Sequence, residues 1–152
     1  MKNSLIAASV GLILGSSITL TAFAQAKPDT LVKQRQAAMT LQGKYFYSLG
    51  PMAQGKAPFD AAVFARNAGY LDALTKMAWD GFTPNTSGEK SRALPEIYSD
   101  AAKWKQAQDS FQAEVGKLVA ATKGGNEQAV KAAWSDVNKS CGGCHDSFRA
   151  RQ

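Results

Sequence analysis

The sequence predicts an all-α protein, an antiparallel four-helix bundle. Three observations predict it. Apolar residues recur at three- and four-residue steps in four segments. No segment alternates apolar and polar residues as a strand does. Glycine and proline punctuate the chain between the segments, at Gly50-Pro51, around Pro84 and Gly88, and at Gly124-Gly125. The chain has 152 residues, enough for one domain.

Residues 1–24 stand apart from that domain. Lys2 precedes a mostly apolar run from Leu5 to Leu20, and Ala22-Phe23-Ala24 places small residues where a signal peptidase reads them. A cleaved secretory signal is expected, leaving a bundle domain over 25–152. Gly, Ser and Thr dilute the run, which argues against an uncleaved membrane anchor. No other stretch is expected to cross a membrane.

Helix one starts at Pro28 and Asp29, which suit a first turn. Its expected inner stripe is Leu31, Ala38, Leu41, Tyr45 and Leu49, ending or kinking at Pro51. Arg35 and Met39 share one face of it, four residues apart. By themselves they read as a solvated charge and a core filler. Asp60 is the expected N-cap of helix two, with Val63, Asn67, Leu71, Leu74 and Ala78 inside. A polar loop from Gly81 to Arg92 follows, long enough for a functional role. Trp79 and Phe82 at its start suit a core or a cofactor edge. Pro95 precedes a short segment, Glu96 to Tyr98. Ser99 or Asp100 caps helix three, whose stripe runs from Trp104 through Phe111, Val115 and Leu118 to Thr122. Asn126 caps helix four, where Val130, Trp134, Val137, Cys141, Cys144 and Phe148 recur in helical steps.

That last helix carries Cys141-Gly142-Gly143-Cys144-His145. Thiols three residues apart share a helix face. Cys-x-x-Cys-His is the attachment signature of c-type haem: each thiol forms a thioether to a vinyl group, and the adjacent imidazole reaches the iron. A thiol redox pair needs no neighbouring His and favours a βαβ setting. A zinc site takes four ligands, and the chain has only two Cys and one His. Thioether attachment is expected outside the cytoplasm, so motif and export signal agree on a bacterial periplasm. Both cysteines are then consumed, leaving no disulfide.

The sole histidine excludes a bis-His iron. A sixth ligand would be Met39, Met52 or Met77, or absent. In the last case the iron is five-coordinate and high-spin, with a face open to small uncharged gases. The full chain has 18 Lys and Arg against 12 acids; without Lys2 the balance is +5, and two propionates lower it further. That surplus fits weak docking to acidic partners. Aromatic and basic residues do not interleave, so no nucleic-acid partner is expected.

A helical bundle ending in this motif resembles the cytochrome c′ family, the class II cytochromes c. The resemblance covers the mature chain and rests on Arg35-Gln36 and Met39, on Pro95-Glu96-Ile97, and on Cys141 to Arg149. It implies that Cys141 and Cys144 hold haem c and that His145 is the only protein ligand to iron. It implies that Arg35 and Gln36 contact the haem edge and propionates. It places Met39 over the distal face and Arg149 near the proximal side. Where some members have an acid before the Pro-Glu pair, this chain has Arg92, so a propionate contact there is only an option.

The resemblance also implies function. The first expectation is capture of nitric oxide (NO) and carbon monoxide (CO) at five-coordinate ferrous haem, tied to nitric oxide tolerance, with one-electron redox capacity and an unidentified redox partner. The alternative is a periplasmic electron carrier. An enzyme ranks last, because a distal histidine is impossible and peroxide cleavage needs such a group. A homodimer formed through the first two helices is expected, with no membrane attachment after signal cleavage.

Overall fold

The computed structural model describes residues 26–151. The expected signal segment 1–24 lies outside them. Four long helices dominate: α1 (Pro28–Tyr47), α3 (Ala61–Leu74), α5 (Ala101–Gly124) and α6 (Glu127–Phe148). Short helices α2 (Gly50–Ala53) and α4 (Glu96–Ser99) lie in the connections, as do single 3₁₀ turns at Trp79–Gly81 and Pro84–Thr86. No strand is present among the described residues, where an isolated bridge pairs Ala93 with Arg149. No described helix is long and apolar enough to cross a membrane.

The helix boundaries follow local chemistry. Pro28 opens α1, with Asp29 in its first turn. Asp60, Asp100 and Asn126 cap α3, α5 and α6, accepting from the backbone N–H of Val63, Lys103 and Ala129 at 3.0 Å each. Gly125 ends α5 at φ 68°, a left-handed conformation that costs other residues more. Pro51 does not end α1, which stops at Tyr47; it opens α2 instead.

Packing runs α1 on α3, α3 on α5 and α5 on α6. The remaining seam, α1 against α6, is largely open. It closes at one end, where Phe46 stacks on Trp134 at 5.0 Å and the Trp134 indole N–H donates to the Phe46 carbonyl at 3.3 Å. The main core lies at this end, built on Leu49, Phe64, Leu71, Val115, Leu118 and Val137. Burying each such side chain contributes about 1.5–3 kcal/mol. A smaller core of Ile97, Trp104 and Phe148 lies apart from it.

The inner stripe of α1 differs from expectation. Its buried residues are Val32, Arg35, Ala38, Gln42 and Phe46, while Leu41 is exposed and Tyr45 half-buried. The stripe is turned because two inward positions are polar. In α3, Phe64 and Ala68 are fully buried, whereas Val63 and Leu74 are half-buried.

Candidate functional site

The open seam is a cavity of about 810 Å³ between α1 and α6. It lies between the two cores, with Phe46 and Phe111 of the larger and Trp104 and Phe148 of the smaller on its wall. Cys141 packs against the larger core and Cys144 against the smaller. Their three-residue spacing on α6 puts both on the cavity wall, together with His145. A volume of this size is within the roughly 300–1,000 Å³ of cofactor pockets.

The titration of these groups discriminates between chemistries. Burial, then the neighbouring Cys144 thiol, push Cys141 up to about 11. Burial raises Cys144 as well. A thiol redox pair runs on a lowered pKa, so this pair is ill suited to it. Burial lowers the pKa of His145, helped by Arg149 and Arg92 and opposed by Asp146. A neutral imidazole is the form that ligates a metal. Among the described residues no cluster of three His, Cys, Asp or Glu could hold a metal ion by itself. Two thiols and an imidazole on one wall of an aromatic-lined cavity fit a covalent haem.

The facing wall comes from α1. Arg35, Gln36 and Met39 all line the cavity. Met39 is half-buried, whereas Met52 belongs to the main core and Met77 is 59% exposed. Of the three methionines weighed as iron ligands, Met39 is the one on the cavity wall.

Arg35 is not a solvated charge; it is 3% exposed. Its Nη1 donates to Gly81 O at 2.6 Å, Thr86 Oγ1 at 3.0 Å and the Tyr98 hydroxyl at 3.3 Å, and its Nη2 to Ser91 Oγ at 3.0 Å. The guanidinium also covers the Phe82 ring at 4.3 Å. These neutral acceptors offset its desolvation and pin the loop to α1. No carboxylate pairs with it among the described residues. Gly81 permits the contact: a Cβ there would sit 2.6 Å from Leu31 O.

Arg92 and Arg149 both line the cavity and both are exposed. Backbone bonds bring them together: Leu94 N donates to Phe148 O at 3.0 Å, and Ala150 N to Arg92 O at 2.9 Å. Sequence reasoning missed Ser91, Thr86 and Tyr98 as Arg35 partners, and Lys90 on the rim. A buried arginine needs acceptors, but nothing local identified which. Trp79 and Phe82 do line the cavity, and Trp79 meets Trp104 edge-on at 84°.

A helical bundle whose last helix turns Cys-x-x-Cys-His onto an aromatic-lined cavity defines a c-type haem protein. The chain belongs to the cytochrome c′ family, whose model matches residues 30–149. Cytochrome c′ of Alcaligenes xylosoxydans xylosoxydans is 42% identical over 127 residues, 84% of this chain and 98% of that protein. Cytochrome c′ of Rubrivivax gelatinosus is 43% identical over 126 residues, 82% of this chain and 98% of that protein. A ferrous variant of the Alcaligenes xylosoxidans protein with bound NO superimposes with a TM-score of 0.79 at 41% identity, covering 84% of this chain and 99% of that one. The cofactor is therefore haem c, bound covalently.

Proposed function

We infer that this chain is an exported gas-binding haem protein: it captures NO and CO at five-coordinate ferrous iron, serves nitric oxide tolerance and retains one-electron redox capacity. In this reading Cys141 and Cys144 anchor the haem by thioethers, and His145 is the axial ligand. Arg35 and Gln36 meet the haem edge and propionates from α1. The observation that carries it is the wall opposite His145. It offers Met39 and aromatic rings, and no second imidazole.

When bound, the haem supplies a one-electron couple and a site for neutral diatomic gases. The residues do the rest. Arg35 sets a fixed positive charge in the wall, suited to a propionate. Phe82 and Trp79 exclude water. Met39 is a flexible apolar lid that an incoming gas must displace. Among the described residues no Asp or Glu lines the cavity, so no carboxylate is there to help cleave peroxide, which supports binding rather than catalysis. The NO-bound relative supports NO as a ligand. Thioether chemistry and the N-terminal segment support a periplasmic address. Exposed Leu41, Tyr70 and Met77 on and beside α1 and α3, with Tyr45 against Tyr70 at 4.9 Å, support a homodimer through those helices.

Ferric and ferrous spectra with stopped-flow CO binding test this. The wild type should be high-spin, and Met39→Ala should bind CO faster and about tenfold tighter, about 1.4 kcal/mol. A low-spin wild type that becomes high-spin in Met39→Ala would make Met39 the sixth ligand and favour the electron carrier.

A further inference from the structure

We propose that the basic rim formed by Lys90, Arg92 and Arg149 is the docking surface for the acidic face of an electron-transfer protein. Among the described residues the cavity wall contains four cations, counting Arg35, and no carboxylate. Two ionised propionates of the bound haem balance two of them, so a positive surplus remains at the opening. The three rim cations are exposed. Among the described residues no acid pairs with any of them, whereas Lys33, Lys76 and Lys105 each pair with an acid one helical turn away.

The rim is also built. The Ala93–Arg149 bridge and its two flanking backbone bonds hold the backbones of the two arginines side by side. Backbone pairing fixes where the two side chains start, so docking orders less of the chain than it would for cations on a mobile loop. Positive potential focused at a cavity mouth steers anionic partners to it. An acidic protein docked here would bring its redox centre to the mouth of the cavity that holds the haem. One electron then leaves the partner and enters the ferric haem of this chain, and no bond forms or breaks. The proposal rests on haem in this cavity and on its one-electron capacity, not on gas capture.

The test uses the mature haem-loaded protein and a reduced flavodoxin, a small acidic electron-transfer protein, as probe. At low salt, Lys90→Glu should slow reduction of the ferric haem by roughly threefold or more. Lys123→Glu makes the same charge change in the last turn of α5, away from the rim, and should leave the rate unchanged. Lys90→Gln should fall between wild type and Lys90→Glu. The differences should vanish near 1 M salt, where the Debye length is about 3 Å. Equal slowing by the Lys90 and Lys123 variants, or none by either, overturns the rim. Sedimentation with vesicles of phosphatidylcholine and phosphatidylserine covers a lipid surface. Vesicle binding lost in Lys90→Glu, with unchanged flavodoxin kinetics, would assign the rim to membranes and overturn the proposal. A CO titration of the same samples reports on gas binding separately, so either reading can fail alone.

Discussion

Gly81 sits where the loop before α4 touches α1, and it has no room for a side chain. A Cβ would approach Leu31 O to 2.6 Å and Arg35 Cβ to 2.8 Å. Its φ is not positive, so the constraint is space and not backbone conformation. Leu31 O belongs to a helix and cannot swing aside. Gly81→Ala should therefore lift the Trp79–Gly81 turn and lengthen the 2.6 Å bond from Arg35 to Gly81 O. Denaturant unfolding of the haem-loaded protein should show a loss of about 2–3 kcal/mol, from overpacking plus a weakened buried hydrogen bond. A loss within error would mean that the loop gives way freely. At this scale the motif was fully legible, because Cys141, Cys144 and His145 are neighbours along one helix. The burial of Arg35 was not. An arginine looks alike in sequence whether water or Thr86, Ser91 and Tyr98 surround it.

Each of the last two long helices starts on a side-chain cap and ends or begins near the cavity. Asn126 caps α6 far along the helix from Cys141 and His145. Asn126→Ala should cost about 1 kcal/mol of stability. The haem spectrum should stay unchanged, since the capped turn lies outside the cavity wall; thermal melting with a parallel optical scan checks both. A shifted spectrum would mean that strain at the start of α6 reaches its end. Caps and glycine stops were legible because they act within one turn. The face of α1 was not. Leu41 and Tyr45 invite an apolar stripe, yet Gln42 points inward and donates to Leu74 O at 2.9 Å. The inner side of α1 borders a cavity, and its polar groups serve that cavity and its neighbours.

The assembled bundle leaves apolar groups on and beside α1 and α3 uncovered. Leu41, Tyr70 and Met77 are 41%, 48% and 59% exposed, and Tyr45 of α1 meets Tyr70 of α3 at 4.9 Å. Large exposed apolar groups suit an interaction face, and the proposed homodimer would cover them. Sedimentation at micromolar concentration should give a dimer for the mature protein, and Tyr70→Glu should give a monomer with an unchanged haem spectrum. The added charge would be desolvated in the interface without a partner. A monomeric wild type would remove the dimer reading.

Four long helices, the caps Asp60 and Asn126, the glycine stop at Gly124-Gly125 and the haem motif follow from rules that span a few residues, and the sequence alone determined them; the structure chose Asp100 over Ser99 as the third cap. It also limited the iron to one imidazole, because only one histidine exists. Tertiary structure decided which methionine meets the cavity, since Met39, Met52 and Met77 differ in the distant residues packed around them. It decided that α1 and α6 part to leave room for a cofactor. It also brought Arg92 beside Arg149 through bonds between segments more than fifty residues apart. Helical period and capping are local, whereas burial and convergence depend on how whole elements pack, and no short window of sequence contains that information.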